Sequence, residues 1–225
     1  MELTGIDNLG AACVLERGTG EVVDQQEHAM LVYDTLSCTA FLACEEAKAG
    51  ISLLEWHRDR KYPVLSVTNL EVGRRAFRQM GYTQKMECYQ VAYYGKCPEA
   101  DSSLVFRTAE EGDLPLLTQN YHLVSPEDLA RIVSRGNLLM AADRGRTVGF
   151  IGEHLEGSMG LLYIFPEFRH RGYAMALEKR YMAKMMGEGR IPFGQVEKKN
   201  QASLALQKKI GMTRSRRLSC WMWDE

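Results

Sequence analysis

The sequence predicts an α/β protein in which a mixed, mostly antiparallel twisted sheet is flanked by helices. Three observations support this fold class. The apolar run 159–165 predicts a strand, and a basic loop and a helical pattern follow it directly. A second strand–helix–strand pattern occupies residues 193–223. Over residues 104–225 the patterns follow one another without a gap, in the order β-α-α-β-β-β-α-β-α-β.

The first elements predicted within residues 104–225 have sequence patterns typical of strands and helices. Residues 104–107 predict a strand, and residues 113–123 predict a helix. Ser125, followed by a proline and two acids, is typical of an N-cap at the start of a second helix. The apolar runs 137–142 and 147–151 flank a short charged turn and predict a hairpin.

The loop after the strand 159–165 is rich in cations and small residues, and it reads Arg169, His170, Arg171, Gly172, Tyr173 and Ala174. The first backbone N–H groups of a helix have no internal partner, and the helix dipole is positive at that end. Gly172 lets the backbone approach a ligand closely, Ala174 keeps the entry uncrowded, and Arg169 and Arg171 match phosphate geometry. The loop therefore predicts a pyrophosphate site. The alternative is an ordinary strand-to-helix turn with two solvated arginines.

A second element lies further along the chain. Residues 193–196 predict a short strand, and a helical pattern with Asn200 and Ser203 at its start follows it. Gly211 is typical of a helix C-cap, and a last strand ends near Trp223.

The two elements, in this order, resemble the GNAT superfamily of acyl-CoA-dependent N-acyltransferases. Its hallmarks are a Pro-x-x-Arg-x-x-Gly-x-Gly/Ala loop and a later Asn-x-x-Ser/Ala helix that ends in Lys-x-Gly-Phe/Met. The resemblance implies that the loop from Arg169 to Ala174 holds the pyrophosphate of acetyl-CoA or another acyl-CoA. It implies that the pantetheine arm and thioester meet the strand at Leu162, Tyr163 and Ile164, and that Asn200 and Ser203 touch the arm. For Asn200, a plain helix cap is the alternative.

The N-terminal part resembles a degenerate copy of the strand–Asn–helix–Gly unit near the end of the chain. A strand at 64–67, Asn69 and a helix closed by Gly81 match the later strand–Asn–helix–Gly unit. Where a phosphate loop would lie, Glu45 and Glu46 stand instead, and their charges would repel a pyrophosphate. We therefore predict a degenerate half-GNAT domain that does not bind CoA. The loop-rich stretch 95–103 separates it from the complete unit.

The predicted domains are thus 1–98, the degenerate N-terminal domain, and 104–225, the acyltransferase domain. Glycine N-acyltransferases have the same domain arrangement, in which a degenerate first half is joined to a complete second half. This second resemblance is looser than the first, and it suggests a small acceptor.

The catalytic residues follow less directly from the sequence. Many GNAT enzymes use a tyrosine as general acid seven residues after the asparagine, where this chain has Gln207. Glycine N-acyltransferases use a glutamate at the place of Ser158, whose hydroxyl could position a water but is a weak base. Alternation along a strand would place Glu156 on the same side as Ser158, so Glu156 is the predicted base. Glu153 and His154 are the nearby alternatives.

Composition excludes several other classes. The formal net charge is −1, which argues against a general nucleic-acid binder. No apolar run approaches the roughly 18–20 residues of a membrane span. The six cysteines form no CxxC pair, and we expect reduced, core-type thiols in a cytoplasmic protein. No histidine has metal-ligand spacing, so no metal is expected.

The resulting hypothesis is an N-acyltransferase that moves an acetyl or short acyl group from acyl-CoA to a primary amine. We expect a small-molecule acceptor such as an amino acid or a polyamine, no nucleic-acid partner and no membrane partner; assembly as a homodimer stays open. Two alternatives remain. One is acylation of a protein or peptide amine, and the other is a CoA-binding regulatory module without catalysis, which Gln207 and Ser158 suggest.

Overall fold

The computed structural model of the protein describes residues 1–99 and 104–224. Part of the predicted linker, residues 100–103, lies outside the described residues. The strands are β1 (Gly20–Gln26), β2 (Ala29–Asp34), β3 (Thr39–Cys44), β4 (Val64–Val67), β5 (Gln84–Ala92), β6 (Val105–Thr108), β7 (Leu138–Asp143), β8 (Arg146–Glu153), β9 (Met159–Ile164), β10 (Phe193–Glu197) and β11 (Thr213–Trp223). The helices are α1 (Leu9–Glu16), α2 (Ala47–Trp56), α3 (Leu70–Gln79), α4 (Leu114–Asn120), α5 (Pro126–Ser134), α6 (Tyr173–Gly187) and α7 (Gln201–Ile210).

These elements form two compact units that are discontinuous in sequence. The first unit contains Met1–Ala92, Gln195–Lys208 and the chain from Thr213 onward. The second contains Tyr93–Gly194 and Lys209–Met212. The residue ranges of the compact units therefore differ from those of the predicted domains 1–98 and 104–225. The sequence-based division into domains stays a prediction.

The sheet of the first unit has the strand order β1-β2-β3-β4-β11-β5-β10. Strands β3 and β4 run parallel, whereas β11 is antiparallel to both of its neighbours. On one side Cys220 lies opposite Val67, and on the other Ser219 lies opposite Cys88. The last strand of the chain thus completes the sheet that the N-terminal residues begin.

Each face of this sheet has its own apolar core. Helices α2 and α3 contribute to one core, which includes Leu42, Leu65 and Met222. Helix α3 begins at Asn69, whose side chain accepts hydrogen bonds from the backbone N–H groups of Glu71 and Val72 at 3.0 and 3.3 Å. Helix α1 covers part of the opposite face, where its buried residues pack beside strands β2 and β3.

The second unit is a four-stranded antiparallel sheet with helices on both faces. Its order is β6-β7-β8-β9. Alternation along β7 divides the side chains, because Leu139 packs in the core that contains α6, and Leu138 packs in the core that contains α4 and α5. Leu177 and Tyr181 of α6 are fully buried.

The structure confirms the predicted fold class and the element order of residues 104–224. Helix α4 is shorter than predicted, since it ends at Asn120 instead of continuing to residue 123. Among the described residues, no helix combines the length and the apolar character that crossing a bilayer requires.

The thiols fulfil the prediction only in part. All six cysteines are free among the described residues, and Cys44, Cys88 and Cys220 are buried. Burial raises the pKa of these thiols to about 11, about 12 and about 11, respectively. Cys97 is exposed, so the prediction of a core-type thiol is wrong for this residue.

Glu87 on β5 should make the protein sensitive to acid. The Arg74 and Lys198 side chains bond to its carboxylate and lower its pKa from 4.5 to about 2. A pKa that is lower in the folded state stabilises the protein above the unfolded pKa, and this contribution is lost as the pH falls. We expect a loss of about 2 kcal/mol between pH 4.5 and pH 2.

Urea unfolding across this pH range tests the prediction. The Glu87→Gln variant should lose less stability on acidification than the wild type. Glu21→Gln, at an exposed carboxyl on the edge strand β1, should follow the wild-type curve. Parallel curves for the wild type and Glu87→Gln would contradict the prediction.

Candidate functional site

Strand β9 lies at the end of the second unit's sheet, and its backbone is irregular. Leu161 has a φ of 49°, in the left-handed region that branched residues rarely adopt. At this point the register between β8 and β9 shifts, so that two residues of β9 face one residue of β8. Leu162 belongs to this bulge and Tyr163 and Ile164 follow it; all three are half-buried. A terminal strand leaves backbone N–H and C=O groups on its outer side unpaired within its sheet, where an extended ligand can bind.

The predicted phosphate loop connects β9 to α6. Residues Pro166–Phe168 form one short helical turn, and the buried Phe168 anchors it. His170 and Gly172 both have positive φ, of 62° and 87°. Gly172 is the N-cap of α6, and a Cβ placed on it would meet no atom within 4 Å. The loop therefore needs glycine for its backbone conformation and leaves open space in front of the helix.

The loop arginines are held in place by aromatic rings and one backbone carbonyl. Arg169 donates from Nε to the carbonyl of Ile164 at 3.1 Å, and this bond uses one of its five N–H donors. The guanidinium of Arg171 lies 5.7 Å from the centroid of the Phe168 ring. Arg146, the first residue of β8, lies 4.8 Å from the same centroid. Two arginines thus belong to the loop before α6, and Arg146 packs on the ring of the loop residue Phe168.

Tyr173 connects the hairpin turn between β7 and β8 to the helix. Its hydroxyl donates a 2.6 Å hydrogen bond to Asp143, and this bond raises the pKa of Tyr173. Arg146 and Asp143 are not among the site residues that the sequence predicts. Nothing in a local pattern indicates that this hairpin turn lies beside the loop.

The predicted base has a different setting from the one expected. Glu156 lies in the turn between β8 and β9, next to Gly157 with a φ of 95°, and not on β9. The strand-alternation argument for choosing it is therefore wrong. Both residues are nevertheless buried, with Glu156 8% exposed and Ser158 0% exposed, and the Ser158 hydroxyl donates a hydrogen bond to the Glu156 carboxylate. The structure brings this pair together, while its catalytic role stays a prediction.

The alternative base Glu153 has structural partners. Its carboxylate accepts hydrogen bonds from Arg190 at 2.7 Å and from Asn137 at 2.9 Å. Burial raises the pKa of Tyr181, and the neighbouring Glu153 raises it further. These contacts connect the end of β8 to the residue before β7, to α6 and to the segment after α6. The other alternative, His154, packs against Gly160, where a Cβ would lie 2.5 Å from the histidine Nε2.

Asn200 and Ser203 belong to the first unit, whereas the loop belongs to the second. The side-chain oxygen of Asn200 accepts a 3.0 Å hydrogen bond from the backbone N–H of Ser203. Asn200 is therefore a helix cap, as the alternative reading had it. Capping uses the oxygen, and the amide nitrogen of Asn200 and the hydroxyl of Ser203 are not needed for it. Gln207, further along α7, is buried.

Glu153 should stabilise the fold more than an exposed carboxylate does. Replacing it by glutamine leaves Arg190 partly buried without this charged partner, so we expect Glu153→Gln to lower the free energy of unfolding by about 2 kcal/mol. Denaturant unfolding measures this value, and Glu167→Gln, at an exposed residue of the same unit, is the control. Equal stability of the two variants would contradict a structural role for Glu153.

Comparison with known proteins agrees with this architecture. Residues 139–222 match the model of the FR47-like protein family, which is less than half of the chain. A search among curated proteins found no match.

Several solved structures are similar over almost the whole chain. A Drosophila protein has a TM-score of 0.75 at 14% identity, covering 98% of this chain and 91% of its own. A protein from Novosphingobium aromaticivorans, assigned to the GNAT family of acetyltransferases, has a TM-score of 0.56 at 17% identity and covers 91% of both chains. A GCN5-related N-acetyltransferase-like protein from Streptococcus suis has a TM-score of 0.55 at 16% identity, covering 94% of this chain and 92% of its own. The protein therefore has the fold of the GNAT acetyltransferases.

Proposed function

We propose that the protein is an N-acyltransferase that moves an acetyl or short acyl group from acyl-CoA to the primary amine of a small molecule. The observation that carries the proposal is the start of α6. There a left-handed Gly172 caps the helix with open space beside its Cα, Arg169 and Arg171 belong to the loop, and Arg146 packs on the loop's Phe168 ring. Unpaired helix N–H groups together with guanidinium groups form a site for a diphosphate.

The residues present fit acyl-CoA at each part of the molecule. The loop from Arg169 to Ala174, His170 included, would hold the pyrophosphate. The outer side of β9 at Leu162, Tyr163 and Ile164 would hydrogen-bond the pantetheine arm, because a strand edge matches the amide groups of an extended chain. For Asn200 and Ser203, contact with the pantetheine arm stays a prediction from the resemblance. When bound, acyl-CoA supplies the thioester carbonyl that an amine attacks.

Glu156 and Ser158 supply the proton chemistry in this proposal. An amine is mostly protonated at neutral pH, so the site needs a group that accepts a proton. The Glu156 carboxylate would accept it, directly or through one water. The hydrogen bond from Ser158 fixes the orientation of the carboxylate, which is what a positioned base requires. Ser158 thus serves as a positioning residue for Glu156.

The structural relatives support the reaction class. The Novosphingobium and Streptococcus suis proteins carry names that assign or relate them to acetyltransferases. Their names specify no acceptor, and the small-molecule acceptor, such as an amino acid or a polyamine, is our inference from the resemblance to glycine N-acyltransferases. Two alternatives are acylation of a protein amine and a CoA-binding module without catalysis. The experiments below distinguish both from acylation of a small molecule.

Acetyl-CoA should stabilise the protein through the loop. A ligand at about a hundred times its Kd adds about 2.7 kcal/mol, which raises the Tm of a chain of this size by roughly 5–10 °C. Arg169→Glu should abolish most of this shift because it places a negative charge beside the pyrophosphate. The control Arg135→Glu makes the same charge change at an exposed residue after α5. No shift in the folded wild type would refute the assignment of acyl-CoA, and equal shifts in both variants would remove it from this loop.

Glu156 should control turnover. We expect Glu156→Gln to lower kcat by about a hundredfold, because the glutamine cannot accept a proton. Release of the CoA thiol measures turnover with a panel of amines, including glycine, spermidine and a lysine-containing peptide. Ser158→Ala should lower kcat less, and Glu167→Gln should leave it unchanged. Acetyl-CoA binding without thiol release for any amine would indicate the non-catalytic module, and turnover with the peptide alone would indicate a protein acceptor.

A further inference from the structure

A polar recess lies on the sheet of the first unit, on the face that carries α1. Its empty volume, which includes space open to solvent, is about 290 Å³. The lining residues come from the start of the chain and from five neighbouring strands; they are Asp7, Asn8, Gly10, Ala11, Phe41, Ala43, Ser66, Thr68, Gln90, Gln195, Ser219 and Trp221. A sheet face in this position normally carries apolar side chains, so the polar groups here require an explanation.

Two N–H donors in this recess lack an acceptor. Gln90 is 5% exposed, and its Nε2 has no hydrogen-bond partner among the described residues. The same holds for the indole Nε1 of Trp221. Buried donors are nearly always paired in folded proteins, because leaving one unpaired costs free energy.

The orientation of the Gln90 amide is set by its neighbour. Gln195 donates from its Nε2 to the Gln90 side-chain oxygen at 3.2 Å, so the oxygen is used and the nitrogen remains as the free donor. The Trp221 ring packs edge-on against Phe41, with 5.8 Å between ring centroids. Both donors are therefore held by packing or hydrogen bonding, as in a preformed site.

The charge of the lining determines which acceptor fits. Asp7 is the one ionisable residue of the lining, and the lining contains no lysine, arginine or histidine. Burial raises the pKa of Asp7, whereas Arg217 acts in the opposite direction. A carboxylate ligand would meet the Asp7 carboxyl, and no cation of the lining would contact it, since Arg217 lies outside the lining. A simple ammonium ion would leave both N–H donors unpaired, because it carries no acceptor.

We propose that this recess binds a neutral carboxamide group. Its carbonyl oxygen would accept from the Gln90 and Trp221 N–H groups, and its own N–H groups would donate to the oxygens of the lining, Asp7 among them. A primary carboxamide is uncharged, its carbonyl oxygen can accept two hydrogen bonds, and its nitrogen carries two N–H donors. The proposal stands on the recess alone and does not rest on acyl transfer.

NMR of the indole N–H signals tests the proposal on the full-length protein. The chain has three tryptophans, and loss of one signal in Trp221→Phe assigns that residue. Acetamide should move the Trp221 signal downfield in a saturable manner, because the indole gains an acceptor. Trp223, on the same strand but outside the lining, and the exposed Trp56 are internal controls whose signals should not move.

Acetate and methylammonium are the matched probes. Each should bind at least about tenfold more weakly than acetamide. Binding of acetate would bury a negative charge, and methylammonium has no hydrogen-bond acceptor. In Gln90→Met, which keeps the side-chain volume, the Trp221 signal should require roughly threefold to tenfold more acetamide for the same shift. If this variant is unfolded in a thermal scan, the three wild-type titrations decide alone.

Three results would overturn the proposal. An unmoved Trp221 signal would mean that an ordered water satisfies both donors. An equal response to acetate would mean that the recess does not exclude anions. A shift of the Trp56 or Trp223 signal together with that of Trp221 would mean a general effect of the additive.

Discussion

The first unit depends on the pairing of β11 with β4 on one side and β5 on the other. This strand supplies Cys220 and Met222 to one core and Trp221 to the other, so it contributes to both faces of the sheet. Without it, β4 and β5 would each present an unpaired edge, and edges of this kind attract other chains. The N-terminal residues therefore do not complete their sheet until the last strand of the chain is in place. A boundary near residue 100 separates sequence patterns but cuts through the hydrogen bonding of this sheet.

Features that local interactions determine were predictable from the sequence. Asn69, Ser125 and Asn200 each cap a helix as their residue types indicate. Gly172 and Gly211 have the positive φ that their positions beside helices require. The alternation of apolar residues along β7 and the helical spacing along α6 were sufficient for the fold class. In these cases the deciding contacts join residues only a few positions apart, so the pattern contains the necessary information.

Features that depend on distant contacts or irregular backbone were not predictable. The partner of Glu153 is Arg190, which no local spacing connects to it. The placement of Glu156 by strand alternation failed because alternation requires continuous extended backbone, and the chain turns at Gly157 before β9 begins. The bulge at Leu161 then shifts the register of β9 against β8, which interrupts the alternation again. The neighbours of β11 could not be inferred either, since sequence order suggests pairing within its own half of the chain. The matching Asn and Gly positions around α3 and α7 agree with a duplication, which stays a prediction.

Both proposed binding sites present N–H groups that have no acceptor. The charge of the surrounding side chains determines which ligand each site can bind. At the start of α6 the donors are exposed backbone groups, and nearby arginines add positive charge, so the site favours an anion such as a diphosphate. In the recess the donors are buried side-chain groups, and the lining contains one carboxyl, Asp7, and no cation, so the lining does not favour an anion. A phosphate placed in the recess would lose its solvation and gain no cation. A neutral amide placed at the start of α6 would make little use of the arginines. The lining charges thus assign different ligand classes to two sites that present the same kind of donor.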